Sequence, residues 1–167
     1  LENSKRDEYT AILNPGDDHD EFIRQLTYKM KGEFKTVWYV DRYAVQTRAR
    51  KKLAILVESF RQSLGDINFN LLTSFDPYRE GDRERNDIHK KMNKICDSVH
   101  FMEDPDIEPH NRYVIIQTDK GTRWWSLPDS LLAAMARQKS AWNLEPGRGI
   151  ECSVSTFIES TRKTKKE

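Results

Sequence analysis

Cysteine is nearly absent from this chain of 167 residues: Cys96 and Cys152 stand alone, without CxxC spacing or a companion histidine pair. That scarcity supports neither a disulfide framework nor a zinc site, and it suits a reducing compartment. Long apolar runs are missing as well. Nothing approaches the ~18 to 20 residues of a membrane span, and no charged-then-apolar signal segment opens the chain. The expectation is an intracellular, cytoplasmic protein. Net charge is almost nil, with 28 Lys and Arg against 27 Asp and Glu. A uniformly basic coat for nucleic acid is therefore excluded, and any anion-binding surface must be a local patch.

What is present describes a folding domain. Hydrophobic residues reach 37% and charged residues 33%, polar for a globular protein but too rich in aromatics and branched aliphatics for disorder. Residues 9–158 read as one domain between a polar lead-in at 1–8 and a basic tail at 159–167. The lead-in, which opens on Leu1, suggests a domain of a larger parent protein. The tail is a solvated run or a contact for an acidic partner.

Strand and helix patterns alternate along the chain. "YTAILN" (9–14) is a short strand halted by Pro15-Gly16. A helix follows, with Asp17, Asp18, Asp20 and Glu21 at its positive end and Phe22, Ile23, Leu26 and Met30 at helical spacing; Gly32 is its stop. "KTVWYVDRY" (35–43) lacks polar alternation, which predicts a strand covered on both faces and hence a parallel sheet. Residues 45–64 form the clearest helix, with Val45, Ala49, Leu53, Leu56, Val57, Phe60 and Leu64 on one stripe and Gly65 at the end. "INFNLLTS" is a strand, "RERNDIHKKMNKICD" an exposed helix with a narrow apolar seam, and "SVHFME" a further strand. Beyond the acidic link "DPDIEP", "HNRYVIIQTD" and "TRWWSL" pair as a hairpin through Lys120-Gly121. "DSLLAAMARQ" is a capped helix and "GIECSVSTF" a late strand. The expected fold is α/β, a mixed sheet with helices on both faces.

Ligands of such sheets gather beyond the carboxyl ends of the parallel strands. Here those ends carry Asp41-Arg42-Tyr43, Thr73-Ser74 and Glu103-Asp104, so Asp41, Tyr43 and Thr73 are candidate pocket-rim residues. Arg48, Arg50, Lys51 and Lys52 fill the opening half of the following helix, where the dipole disfavours cations by ~0.3 to 1 kcal/mol each. A phosphate site would favour them, Arg48, Lys51 and Lys52 in particular; a solvated face balanced by acidic groups elsewhere is the alternative. His110 and Arg112 lie at a strand start and, at period two, share a side. A fixed cation beside an imidazole favours its neutral form, the one a nucleophile or base requires, while Arg112 has a fork for two phosphate oxygens. Surface placement of both after Pro109 is the alternative. His19, His89 and His100 have weaker claims, and His100 reads as a structural histidine in a strand. Of the adjacent Trp124 and Trp125, one faces the core; the other covers a helix or stacks on a base or partner.

The succession "VWYVDRY", amphipathic helix, "FNLLTS", helix, "VHFMED", "HNRYVIIQTDKG" and "WWSLPDSL" resembles a single-copy phospholipase D-like domain. It is most similar to degenerate forms whose signature reads His-Asp-Arg, such as the carboxyl-terminal domain of MIT-domain proteins and related bacterial modules. The resemblance covers roughly residues 9–132 in element order. It implies a nucleophile position for His110 and a phosphate-binding position for Arg112, without a metal or other cofactor. The active family also has an Asp after four further residues. Here that position is Gln117, with Asp119 two residues late. The Gly-Ser-x-Asn element is missing, though Ser126 and Ser130 offer hydroxyls in that part of the chain.

These readings leave three functions open. One is a non-catalytic module binding a phosphate-bearing ligand, nucleic acid or an anionic lipid headgroup, as a sensor or targeting domain of a larger protein, with bacterial defence among the settings the resemblance implies. Another is a metal-independent phosphodiesterase or nuclease, for which a homodimer must bring two copies of His110 together. The third is a protein-interaction domain with a vestigial pocket.

Overall fold

The computed structural model describes residues 11–13, 19–28, 30, 33, 35–42, 44–45, 47–74, 82–102, 112–127 and 142–144. Along the chain these form β1 (Ala11–Leu13), α1 (His19–Leu26), β2 (Lys35–Val40), α2 (Thr47–Leu64), β3 (Asn68–Ser74), α3 (Asp82–Ile95), β4 (Ser98–Met102), β5 (Arg112–Thr118), β6 (Gly121–Leu127) and β7 (Trp142–Leu144). The fold is α/β. Its five-stranded mixed sheet has the order β4-β3-β2-β5-β6: β2, β3 and β4 run parallel, and β5 and β6 return antiparallel.

The first strand departs from the sequence expectation. β1 stays out of the main sheet and pairs antiparallel with β7, a three-residue strand that the sequence pattern does not announce. Only two strand-helix-strand units therefore build the parallel half. The hairpin turn also shifts by one residue, since Asp119 and Lys120 make the turn and Gly121 opens β6 opposite Thr118. Thr118 Oγ1 holds it by accepting from the Lys120 amide. The expected helix at 129–138 and the late strand at 149–157 lie outside the described residues.

Strand alternation divides the core into two layers. Val37, Tyr39, Phe69, Leu71, Val99, Val114, Ile116, Trp125 and Leu127 project from one face and pack with Phe22, Ile23 and Leu26 of α1, the α2 stripe and Met92 of α3. The opposite face carries a smaller cluster of Val40, Leu72, Ile115 and Trp124, with Trp38 and Tyr113 against it. Both tryptophans are thus buried, one per face, where the sequence reading gives only one to the core.

The three described helices share the first face rather than divide between two. Steps from β2 to β3 to β4 run in one direction across the sheet, and crossovers of one hand taken in one direction fall on one side.

Helix ends are tied to the sheet. Gly65 adopts φ 83° and donates its amide to the Arg61 carbonyl at 2.8 Å, a left-handed cap that suits glycine. Lys35 Nζ, at the start of β2, donates to the Leu64 carbonyl, so α2 runs antiparallel to β2 and begins beside that strand's carboxyl end. α3 is fixed alike: Asp97, just beyond it, accepts the Phe69 amide at 2.7 Å and returns its own amide to the Phe69 carbonyl at 2.8 Å. α1 stops at Leu26, short of the expected Met30, as Thr27 Oγ1 bonds back to the Ile23 carbonyl at 2.8 Å. Among the described residues, no helix is long and apolar enough to cross a membrane.

Cys96 is a free, buried thiol, and burial, reinforced by Asp97, pushes it up to about 12. A group that holds its proton more tightly in the folded state stabilises the fold fully below its unfolded value of 9.0, and this contribution is lost as pH rises toward about 12. Native protein at pH 8 should therefore resist alkylation at Cys96, whereas urea-unfolded protein reacts quickly. Peptide mapping after iodoacetamide treatment checks this, and equal labelling of both forms refutes it.

Candidate functional site

The register of the sheet assembles a polar row at the carboxyl end of its parallel strands. Val40 lies opposite Leu72 of β3 and Tyr113 of β5. One residue further, Asp41 stands between Thr73 and Arg112, on the helix-covered face. Phe101 flanks Thr73 on β4, and Leu127 flanks Arg112 on β6. The row beneath is apolar apart from one hydroxyl: Val99, Leu71, Tyr39, Val114 and Trp125.

Asp41 is fully buried and bound on two sides. Tyr39 Oη donates to its Oδ2 at 2.7 Å, and Arg112 Nε lies 3.6 Å from its Oδ1. That second distance is a charge contact rather than a hydrogen bond. Arg112 retains 16% side-chain exposure against none for Asp41, so the pair spans from the interior to the surface. The backbone holds the carboxylate in place as well. The Asp41 amide donates to the Leu72 carbonyl at 3.0 Å, and its carbonyl accepts from Ala44 at 3.3 Å in the turn toward α2. Ser74 Oγ ties the same turn to β3 by donating to the Arg42 carbonyl at 3.2 Å.

Thr73 completes the row. Its side chain is buried, and its Oγ1 has no hydrogen-bond partner among the described residues. A hydroxyl left so costs on the order of 1 to 3 kcal/mol.

The positive ends of two helices converge on this edge, because α2 follows β2 and α3 follows β3. The first turn of α2 holds no acidic residue, so its dipole meets no local counter-charge. In the second turn Lys51 is exposed and Lys52 half-buried. Arg48 belongs to the first turn, but its side chain lies outside the described residues. Arg42, half-buried after β2, adds positive charge that the sequence reading did not single out; Arg83 and Arg85 at the start of α3 alternate in sequence with Asp82, Glu84 and Asp87 and give that start no net positive charge. Chain order alone would have found these arginines, since both helix starts must face the same sheet end.

The structure thus brings together Asp41, Thr73 and Arg112, with the basic start of α2 at the same edge. It does not bring Asp119 there. That residue sits exposed in the β5-β6 turn, seven residues of strand, or roughly 23 Å, from Arg112. Gln117 is also remote: it faces the opposite side of the sheet, between Thr36 and Thr122. Tyr43, Glu103, Asp104, His110 and Ser130 lie outside the described residues, as does Cys152. His100 sits within β4 with Nε2 3.1 Å from Ser98 Oγ and its ring against Trp38, while His89 on α3 meets Phe101 edge-on. Tyr39 went unnoticed because it reads as one more aromatic in an apolar strand. The available signal was its i, i+2 spacing to Asp41, which puts both on one face.

No protein-family model and no curated protein matches the chain.

Removing one partner of a buried ion pair leaves the other uncompensated. Asp41→Ala should lower unfolding stability by about 3 kcal/mol, measured by urea denaturation. A loss under about 1 kcal/mol would show that Arg112 and Tyr39 do not depend on the carboxylate.

Proposed function

We propose that the chain is a phosphate-binding module with a phospholipase D-like fold, acting by recognition rather than turnover. The observation that carries this reading is the polar row itself: a partly exposed Arg112 and a buried Thr73, whose hydroxyl has no hydrogen-bond partner among the described residues, flank Asp41 at the sheet edge from which α2 starts. A guanidinium fork, a hydroxyl donor and a helix dipole are three separate attractions for a phosphate oxygen. Lys51 and Lys52 supply further charge within the first two turns of the helix.

In this reading Arg112 grips two phosphate oxygens, and His110, two residues before it in the chain, joins the pocket along with Arg48 and Ser130. Nucleic acid and an anionic lipid headgroup present the same phosphodiester. A larger parent protein would use the module as a sensor or targeting domain. Recognition is favoured over hydrolysis because β5 carries no carboxylate to the row: Gln117 stands where the active family has Asp, and it faces away from Arg112.

Two probes separate the ligand sources, a short single-stranded oligonucleotide and vesicles containing phosphatidylglycerol. Binding to one or both should fall steeply between 50 and 300 mM salt. Arg112→Ala should weaken it about tenfold to a hundredfold, the worth of a charge-assisted hydrogen-bond pair. Affinity for both probes that is unmoved by salt and by Arg112→Ala would discard the proposal. Hydrolysis of bis-p-nitrophenyl phosphate in the presence of a chelator, lost in His110→Ala, would replace it with the enzymatic reading.

A further inference from the structure

We infer that Tyr39 is a positioning residue of this site, acting through Asp41 on Arg112. The inference rests on the phosphate-binding reading and specifies how its arginine is aimed. Tyr39 and Asp41 are two residues apart on the helix-facing side of β2, and both are fully buried. Each carboxylate oxygen of Asp41 has a different neighbour: Oδ2 accepts from Tyr39 Oη at 2.7 Å, and Oδ1 lies 3.6 Å from Arg112 Nε. The phenol thereby fixes the rotation of the carboxylate, and the carboxylate faces the Nε edge of the guanidinium.

A guanidinium is flat and rigid. Once the direction of its Nε edge is set, so is the plane in which its two Nη groups meet the oxygens of a phosphate. Tyr39 can act as the fixed end of this chain because it is fully buried in the helix-facing core, opposite Leu71 of β3 and Val114 of β5 in the register. The hydroxyl is neutral, so it directs the arginine without adding charge to the site. That separates its role from that of Asp41, whose negative charge both holds Arg112 and repels an incoming anion. Tyr39→Phe removes the hydrogen bond to Asp41 and leaves the aromatic ring and every formal charge in place.

The experiment titrates inorganic phosphate, at constant ionic strength, into the parent protein and the variants Y39F, R112K, Y39F/R112K and R112A. Y39F should weaken phosphate binding about threefold to tenfold in the protein that keeps Arg112, the worth of one hydrogen bond. In the R112K background the same change should have no effect, because an ammonium is a point charge without a plane to orient. Equal losses in both backgrounds would mean that Tyr39 merely holds the sheet end together, and would overturn the inference, as would parental affinity in Y39F. The Arg112 Nε proton gives a second reading that needs no ligand. Its exchange with water, followed by NMR, should be faster in Y39F, and an unchanged rate likewise overturns the positioning role. Failure of the underlying reading looks different: the parent would bind no phosphate, or R112A would bind it as the parent does.

Discussion

A carboxylate with no exposed surface stands at the end of a central strand, and much of the molecule is arranged around that cost. An ionised Asp taken out of water is tolerated only when paired and hydrogen-bonded. Asp41 finds its phenol on its own strand and its guanidinium on β5. The second partner exists only if β5 lies beside β2 in one register, with Val40 opposite Tyr113. Slip that pairing by one residue and Arg112 turns to the other face, together with Val114 and Ile116. The same slip would strip the helix-facing core and leave a buried charge without its counter-ion. Hydrophobic alternation and the ion pair therefore specify one register twice over.

Much of this fold was legible in the sequence because its elements obey local rules. The stripe from Leu53 to Leu64, the left-handed stop at Gly65 and the unbroken apolar run of β2 each report a periodicity or a conformation that one segment fixes alone. The parallel pairing followed from the covered character of β2. What escaped depended on partners distant in the chain. β1 and β7 are three-residue strands that stabilise one another across some 130 residues, and such short segments carry no period to detect. The common face of the helices was a matter of strand order, which single segments do not encode.

The site divides in the same way. Arg112, Asp41 and Thr73 were nameable because each ends or begins a strand at the edge where α/β ligands gather. Asp119 was named on motif spacing, which counts residues along one strand and ignores which end of the sheet they reach. Tyr39 was missed for the converse reason. Its role is expressed across one face of a strand, while its sequence neighbours Trp38 and Val40 advertise only hydrophobicity. A linear motif cannot distinguish an aromatic that packs from one that packs and also donates a hydrogen bond.

The two ends of the sheet use their cations differently. At the amino end of β2, Lys35 donates to the last carbonyl of α2, and on the same face Arg123 donates to the Tyr28 carbonyl just past α1. Cations there sit where a helix dipole attracts them, and each satisfies a carbonyl left over at a helix terminus. At the carboxyl end the sign is reversed. Arg42, Arg112 and the basic start of α2 gather where helix amides already present positive charge, whereas Arg83 and Arg85 of α3 are interleaved with Asp82, Glu84 and Asp87. Folding energetics explain the first arrangement; in the second, Arg112 is held by Asp41, while the cations at the start of α2 stand against its dipole. The cations that the α2 dipole disfavours share their edge with the Thr73 hydroxyl, which has no hydrogen-bond partner among the described residues, and a helix start of that kind is where an anion would be favoured.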